Sequence, residues 1–153
     1  MNRLSWIAVI LAGCGAFAPM AGIWSITDYT VTENTCGTED TAVTSGSTYQ
    51  LVETDAGWDL VLDADNTAHC TLDKKVLTCE PLVNSTTMKS TTLTLTMVFD
   101  GTFADEETFD GNETMDMACE GDLCDQIASY GGITFPCGGA ADFGAEYTSD
   151  VAR

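Results

Sequence analysis

Hydrophobic and polar positions alternate along most of this chain. The clearest run is "TLTLTMVFD", in which Leu93, Leu95, Met97 and Phe99 share one parity and Thr92, Thr94 and Thr96 the other. Period two over that length is the pattern of a strand with one face buried and one face wet. "GIWSITDYTVT", starting at Gly22, alternates in the same way. It is rich in β-branched and aromatic residues, which suit a pleated surface. "TYQLVET" and "GWDLVLD" flank Asp55-Ala56-Gly57, and "TAHCTL" and "VLTCEPL" flank Asp73-Lys74-Lys75. Asp100-Gly101 and Asp110-Gly111 follow. Asp-Gly between apolar strands is a hairpin signal, because glycine tolerates the positive φ a tight turn needs. The two pairs predict a short strand, "TFADEETF", between two turns, and then a strand "NETMDMACE".

One stretch breaks the alternation. Leu123, Ile127 and Tyr130 fall at helical spacing, which predicts a helix over Asp122–Tyr130 ended by Gly131-Gly132. A final strand, "ADFGAEYTS", is placed to pair with the first. The expected fold is therefore all-β: an antiparallel meander closed into an up-and-down β-barrel, with one short helix near the C-terminus. A β-sandwich is the alternative.

The chain carries seven cysteines. That number in a short chain points to an oxidising compartment. It is odd, so one thiol needs a separate explanation. Setting Cys14 aside leaves Cys36, Cys70, Cys79, Cys119, Cys124 and Cys137 for disulfides. A two-residue turn at Lys74-Lys75 puts Cys70 opposite Cys79 at about 4.5 Å between α-carbons, within disulfide range. For the other four, Cys124–Cys137 with Cys36–Cys119 is one solution. Cys119–Cys124 with Cys36–Cys137 is its rival.

The first residues explain Cys14. Arg3 is a short positive region, Leu4 to Leu11 is apolar, and Ala12-Gly13 are small residues before a cut. Leu11-Ala12-Gly13-Cys14 resembles the lipobox of bacterial lipoproteins, in which the cysteine sulfur receives a diacylglycerol and the chain is cut before it. The resemblance implies a signal peptide over 1–13, a lipidated Cys14 with a short tether over 14–21, and a single disulfide-bonded β domain over 22–153. It also implies attachment to the bacterial cell envelope through the acyl anchor. Gly15, rather than Asp, follows Cys14, which resembles the outer-membrane sorting pattern of enteric bacteria. Two or more acyl chains hold a protein stably at a bilayer, where one does not. An uncleaved membrane helix is disfavoured, because Gly13, Gly15, Pro19 and Gly22 interrupt the stretch.

Charge narrows the partners. There are 24 acids against five bases, a formal net charge of −19. Such a surface repels phosphate backbones, so no nucleic-acid partner is expected. It leaves room for a cationic partner, or simply for a well-solvated surface.

Candidate chemistry is sparse, and neither catalysis nor a cofactor or metal is expected. His69 is the lone histidine and neighbours Cys70; adjacent strand residues face opposite ways, which rules out a Cys-His dyad. Glu106-Glu107 sits in an acidic run that reads as a solvated face. Asp63, Asp65 and Asn66 resemble the start of a calcium loop, but Ala68 and Lys74 stand where glycine and an acid are needed. A polar Asx turn is the simpler reading. Met97, Met115 and Met117 read as core filling.

Gly22-Ile23-Trp24 resembles the GxW signature of lipocalins, whose tryptophan closes one end of an eight-stranded barrel. That likeness implies a binding module that holds a small hydrophobic ligand by burial and shape. Trp24, Trp58, Leu95 and Met97 are then candidate lining or floor residues. The alternative is a non-enzymatic surface-interaction or structural lipoprotein, with a packed core and an acidic face.

Overall fold

The computed structural model describes residues 17–37 and 46–150. The described elements, in order, are β1 (Gly22–Asn34), β2 (Thr48–Thr54), β3 (Gly57–Val61), β4 (Thr67–Asp73), β5 (Val76–Cys79), β6 (Leu82–Met88), β7 (Thr91–Phe103), β8 (Thr108–Glu120), α1 (Cys124–Gly131) and β9 (Cys137–Ser149). Every strand pairing is antiparallel. β1 pairs with both β2 and β9, and β5 pairs with β7, so the order β1-β2-β3-β4-β5-β7-β8-β9 closes on itself. The meander is therefore a closed eight-stranded barrel, as the alternation implied, and not a sandwich. β6 lies outside the ring, beside the first half of β7.

Strand length gives the barrel two zones. β1, β7, β8 and β9 each have 13 residues, whereas β2 to β5 have between 4 and 7. At about 3.3 Å per residue, the long strands run roughly 43 Å and the short ones no more than roughly 23 Å. The ring closes only where the short strands are present. Beyond them, β6, β7, β8, β9 and the second half of β1 continue as an open sheet.

Aromatic rings fill the closed zone. Trp24 is fully buried, stacked on Tyr49 at 6.4 Å and edge-on to Phe103 at 5.6 Å. Phe103 meets Phe109 at 4.7 Å, and Phe109 meets Phe143 at 6.0 Å. Leu51, Trp58, Leu60 and Leu77 complete the same core. Trp24 also closes one end: its indole N–H donates to the Met20 carbonyl at 3.0 Å, and Phe17 packs on Phe103 at 5.7 Å. The GxW glycine has a local reason. A Cβ on Gly22 would lie 2.4 Å from the Ser149 carbonyl oxygen, so only glycine lets β9 come this close.

The two Asp-Gly pairs are not turns. Gly101 and Gly111 lie directly opposite each other inside β7 and β8, and the hairpin instead turns at residues 104–107. Packing rather than turn geometry demands these glycines. A Cβ on Gly101 would lie 2.4 Å from the tip of the Phe109 ring, and one on Gly111 would lie 2.3 Å from the tip of Phe143. The expected strand "TFADEETF" therefore dissolves into the end of β7, the turn and the start of β8. Gly111→Ala is expected to lower stability by about 1–3 kcal/mol, the usual cost of overpacking. An unchanged urea midpoint would show that the Phe143 ring does not occupy that space.

Three disulfides are present among the described residues. Cys70–Cys79 joins directly opposed residues of β4 and β5, as expected, with α-carbons 3.9 Å apart. The other four cysteines adopt the rival pairing, Cys36–Cys137 and Cys119–Cys124, rather than Cys124–Cys137 with Cys36–Cys119. Register decides this. Asn34 pairs with Gly139, which brings Cys36, just past β1, beside Cys137 at the start of β9. Cys119, near the end of β8, reaches the first residue of α1 across a short turn. α1 itself runs Cys124–Gly131 and ends at Gly132 in the left-handed conformation, close to the expected helix. Cys14 lies outside the described residues.

Candidate functional site: the open end of the barrel

Directly paired residues point to the same face of a sheet, so the register of β7, β8 and β9 lays out the inner wall row by row. In the closed zone the rows are Phe103–Phe109–Ala145 and Gly101–Gly111–Phe143. Next comes Phe99–Glu113–Ala141. Beyond it, in the open sheet, are Met97–Met115–Gly139, Leu95–Met117–Cys137 and Leu93–Cys119. Phe99 and Ala141 are buried, but Leu93, Leu95, Met97, Met115 and Met117 are only half-buried. Val31, paired with Ala141 on the same face, is 46% exposed. The inner wall thus continues past the filled core as an apolar trough that the described residues leave partly open.

Two disulfides frame this trough. Cys137 ends the Leu95–Met117 row and is tied to Cys36. Cys119 ends the Leu93 row and is tied to Cys124, which places the start of α1 at the rim. The α1 entrance is further held by the Thr91 hydroxyl, which accepts the Leu123 backbone N–H at 2.9 Å. Thr91 is itself fully buried.

Glu113 stands at the boundary between the filled and open rows. It is 8% exposed, and it is the only carboxylate at an inward position of β7, β8 or β9 among the described residues. The Tyr29 hydroxyl donates to its Oε2 at 3.4 Å, longer than a usual O–H···O bond. Burial raises the carboxyl pKa above its ordinary value, and the Tyr29 bond offsets part of that. Tyr29 is pushed up to about 12, by burial first and by the Glu113 charge second. No Lys, Arg or His forms an ion pair with Glu113 among the described residues, where the one ion pair is His69–Asp59.

The expected site residues separate into two groups. Trp24 and Trp58 are 0% and 6% exposed and belong to the filled core, Trp24 at its floor. Leu95 and Met97 line the trough. Sequence reasoning missed Glu113, Tyr29 and the inner-wall role of Met115 and Met117. A signal for Glu113 was present: it shares parity with Met115, Met117 and Cys119 in "NETMDMACE", an acid in an apolar series.

A second concavity lies on the outer face of the same open sheet. It has a volume of about 520 Å³ and is lined by Thr94, Thr96, Thr114, Asp116, Gly138 and Ala140, among others. The threonine side of β7 is therefore not simply wet. Its hydroxyls pair across to β6, Ser85 with Thr94 at 3.2 Å and Thr87 with Thr92 at 3.1 Å.

The remaining polar groups are structural. His69 is exposed on the outer wall, and its Nδ1 lies 2.7 Å from Asp59 Oδ1 on the neighbouring strand. Asp63 forms the expected Asx turn: it accepts the Asp65 backbone N–H at 2.9 Å and the Asn66 amide on both oxygens. Those bonds hold its carboxyl below the usual range. Among the described residues, no group of three or more His, Cys, Asp or Glu is arranged to hold a metal ion. Compared with protein-family models, curated protein sequences and solved structures, the chain finds no match.

Proposed function

We propose that this protein is a lipid-anchored lipoprotein of the bacterial envelope, placed at the outer membrane, whose barrel holds a small apolar ligand in the trough at its open end. The supporting observation is the half-buried wall of Leu93, Leu95, Met97, Met115 and Met117. In a chain of net charge −19, that much accessible apolar surface on one inner wall needs a reason. Apolar walls with few polar groups are the usual make-up of small-molecule sites. The lipocalin-like GxW and the closed eight-stranded ring are compatible with the same reading. The floor differs from a deep calyx: the rings from Trp24 to Phe143 fill the closed zone, so the ligand sits above them rather than among them.

A neutral apolar dye tests this. It is expected to bind the soluble chain carrying Cys14→Ser saturably and with increased emission. Leu95→Asn is expected to weaken that binding about tenfold, equivalent to about 1.4 kcal/mol. Because Leu95 is half-buried, its unfolding midpoint should move far less than a core truncation would move it. A well-folded chain that takes up no dye would favour the alternative, a packed structural domain that meets a cationic partner through its acidic face.

A further inference from the structure

We infer that the ligand of this trough is an amphiphile with a cationic amine head, its nitrogen at Glu113 and its hydrocarbon tail along the Met97, Leu95 and Leu93 rows. This rests on the reading of the open end as an apolar ligand site and adds the chemical class of the ligand.

The argument begins with the cost of Glu113. A carboxylate taken out of water is expensive unless it is paired and hydrogen-bonded. An ionised carboxylate has about four acceptor sites, and here one long bond from Tyr29 is the donor in place. Its neighbours on the same face are Phe99 on β7, Ala141 on β9 and Met115 on its own strand, none of which can donate or carry charge. The described lysines are far from it in the fold. Lys74 and Lys75 lie in the turn between β4 and β5, and Lys89 lies in the turn between β6 and β7. A position needing only volume would be filled by leucine or methionine, as Met97 and Met115 fill the next row outward. An acid facing an accessible apolar wall, without a cation partner among the described residues, is complementary to a ligand that brings one.

Position fits the same ligand. Glu113 is at the inner end of the trough, against the filled core, and is still 8% exposed. The rows beyond it are spaced by two residues, about 7 Å each, so three rows give roughly 20 Å of apolar wall. A head seated at Glu113 therefore leaves the tail running outward over methionine and leucine side chains, whose flexible thioethers adapt to a range of tail shapes. A fatty acid would place its carboxylate against Glu113 and is disfavoured by like charge.

The test uses the soluble chain carrying Cys14→Ser, a neutral dye in the trough, and three competitors with the same tail: decylamine, decanol and decanoate. Measurements are made at high salt, where attraction by the exposed acids is screened but a buried pair is not. Decylamine is expected to displace the dye at a concentration at least tenfold below decanol, with decanoate weakest. Glu113→Gln is expected to erase the amine's advantage over decanol, since an amide keeps the shape and loses the charge. Equal potency of amine and alcohol on the unsubstituted chain would overturn the inference even if the variant failed to fold. An amine advantage that survives in Glu113→Gln would overturn it too, assigning the preference to the surface charge. Failure of the dye and decanol to bind at all would instead refute the ligand site itself.

Discussion

Replacing Cys14 with Ala is expected to move the protein almost entirely from the membrane fraction to the soluble fraction. Two features make the effect close to all-or-none. The first is that no helix among the described residues is long and apolar enough to cross a bilayer. The second is charge. Asp105, Glu106 and Glu107 surround Phe17 at the closed end, with Lys75 the nearby base. An acidic end is repelled by anionic headgroups, so acyl chains on Cys14 would have to supply the affinity. The geometry also gives the anchor a direction. Phe17 packs on Phe103 and lies 5.2 Å beneath the Lys75 ammonium, and the Met20 N–H donates to the Glu106 carbonyl at 2.9 Å. Cys14 stands three positions before Phe17, a reach of about 10 Å at most. A lipid on Cys14 would therefore hold the closed end toward the membrane and point the trough away from it. Retention of the Cys14→Ala protein in washed membranes would overturn the anchor.

The second large effect is expected from the Cys36–Cys137 bridge. Its cysteines are 101 residues apart, against 9 for Cys70–Cys79 and 5 for Cys119–Cys124. In the chain-entropy account a loop of about 100 residues is worth roughly 4.7 kcal/mol, and loops of five to ten residues roughly 2–3 kcal/mol. Cys36→Ala with Cys137→Ala should thus destabilise most, by about 2–5 kcal/mol, measured by urea unfolding under non-reducing conditions. It should also weaken ligand binding in excess of its effect on stability, because the bridge forms one edge of the trough. Removing Cys119 and Cys124 should cost less stability and loosen the rim. Equal losses from the two bridges, or peptide mapping that joins Cys36 to Cys119, would refute this assignment.

Much of the architecture was legible in short stretches. Most strands of the ring could be read from their own alternation, since side chains in a strand point to opposite faces in turn. Cys70–Cys79 was legible for the same reason, because a two-residue turn sets the register of the pair beside it. The glycines of β7 and β8 were not. Asp100-Gly101 and Asp110-Gly111 carry the local chemistry of turns, and only the Phe109 and Phe143 rings lying over them explain why they are strand. β6 was also missed: "LVNSTTM" has no strict alternation, and it is almost wholly exposed because only β7 supports it.

The candidate site was half legible. Leu95 and Met97 stand on the apolar parity of the clearest strand, and that parity is the half-buried inner wall. Trp24, the tryptophan of the GxW likeness, and Trp58 fill the core. Core and pocket side chains have the same chemistry, and what separates them is whether another ring arrives to cover them.

The sequence by itself determined most of the strands of the ring, the end that Trp24 closes, the placement of the helix and the likeness of Cys14 to a lipid-bearing cysteine. These depend on residues within a few positions of one another. Only the tertiary structure decided where the barrel stops being filled, which cysteines meet, and that Glu113 and Tyr29 come together across 84 positions of chain. Those outcomes depend on the register between β1, β7, β8 and β9. Register is set by side chains that meet only after the ring has closed.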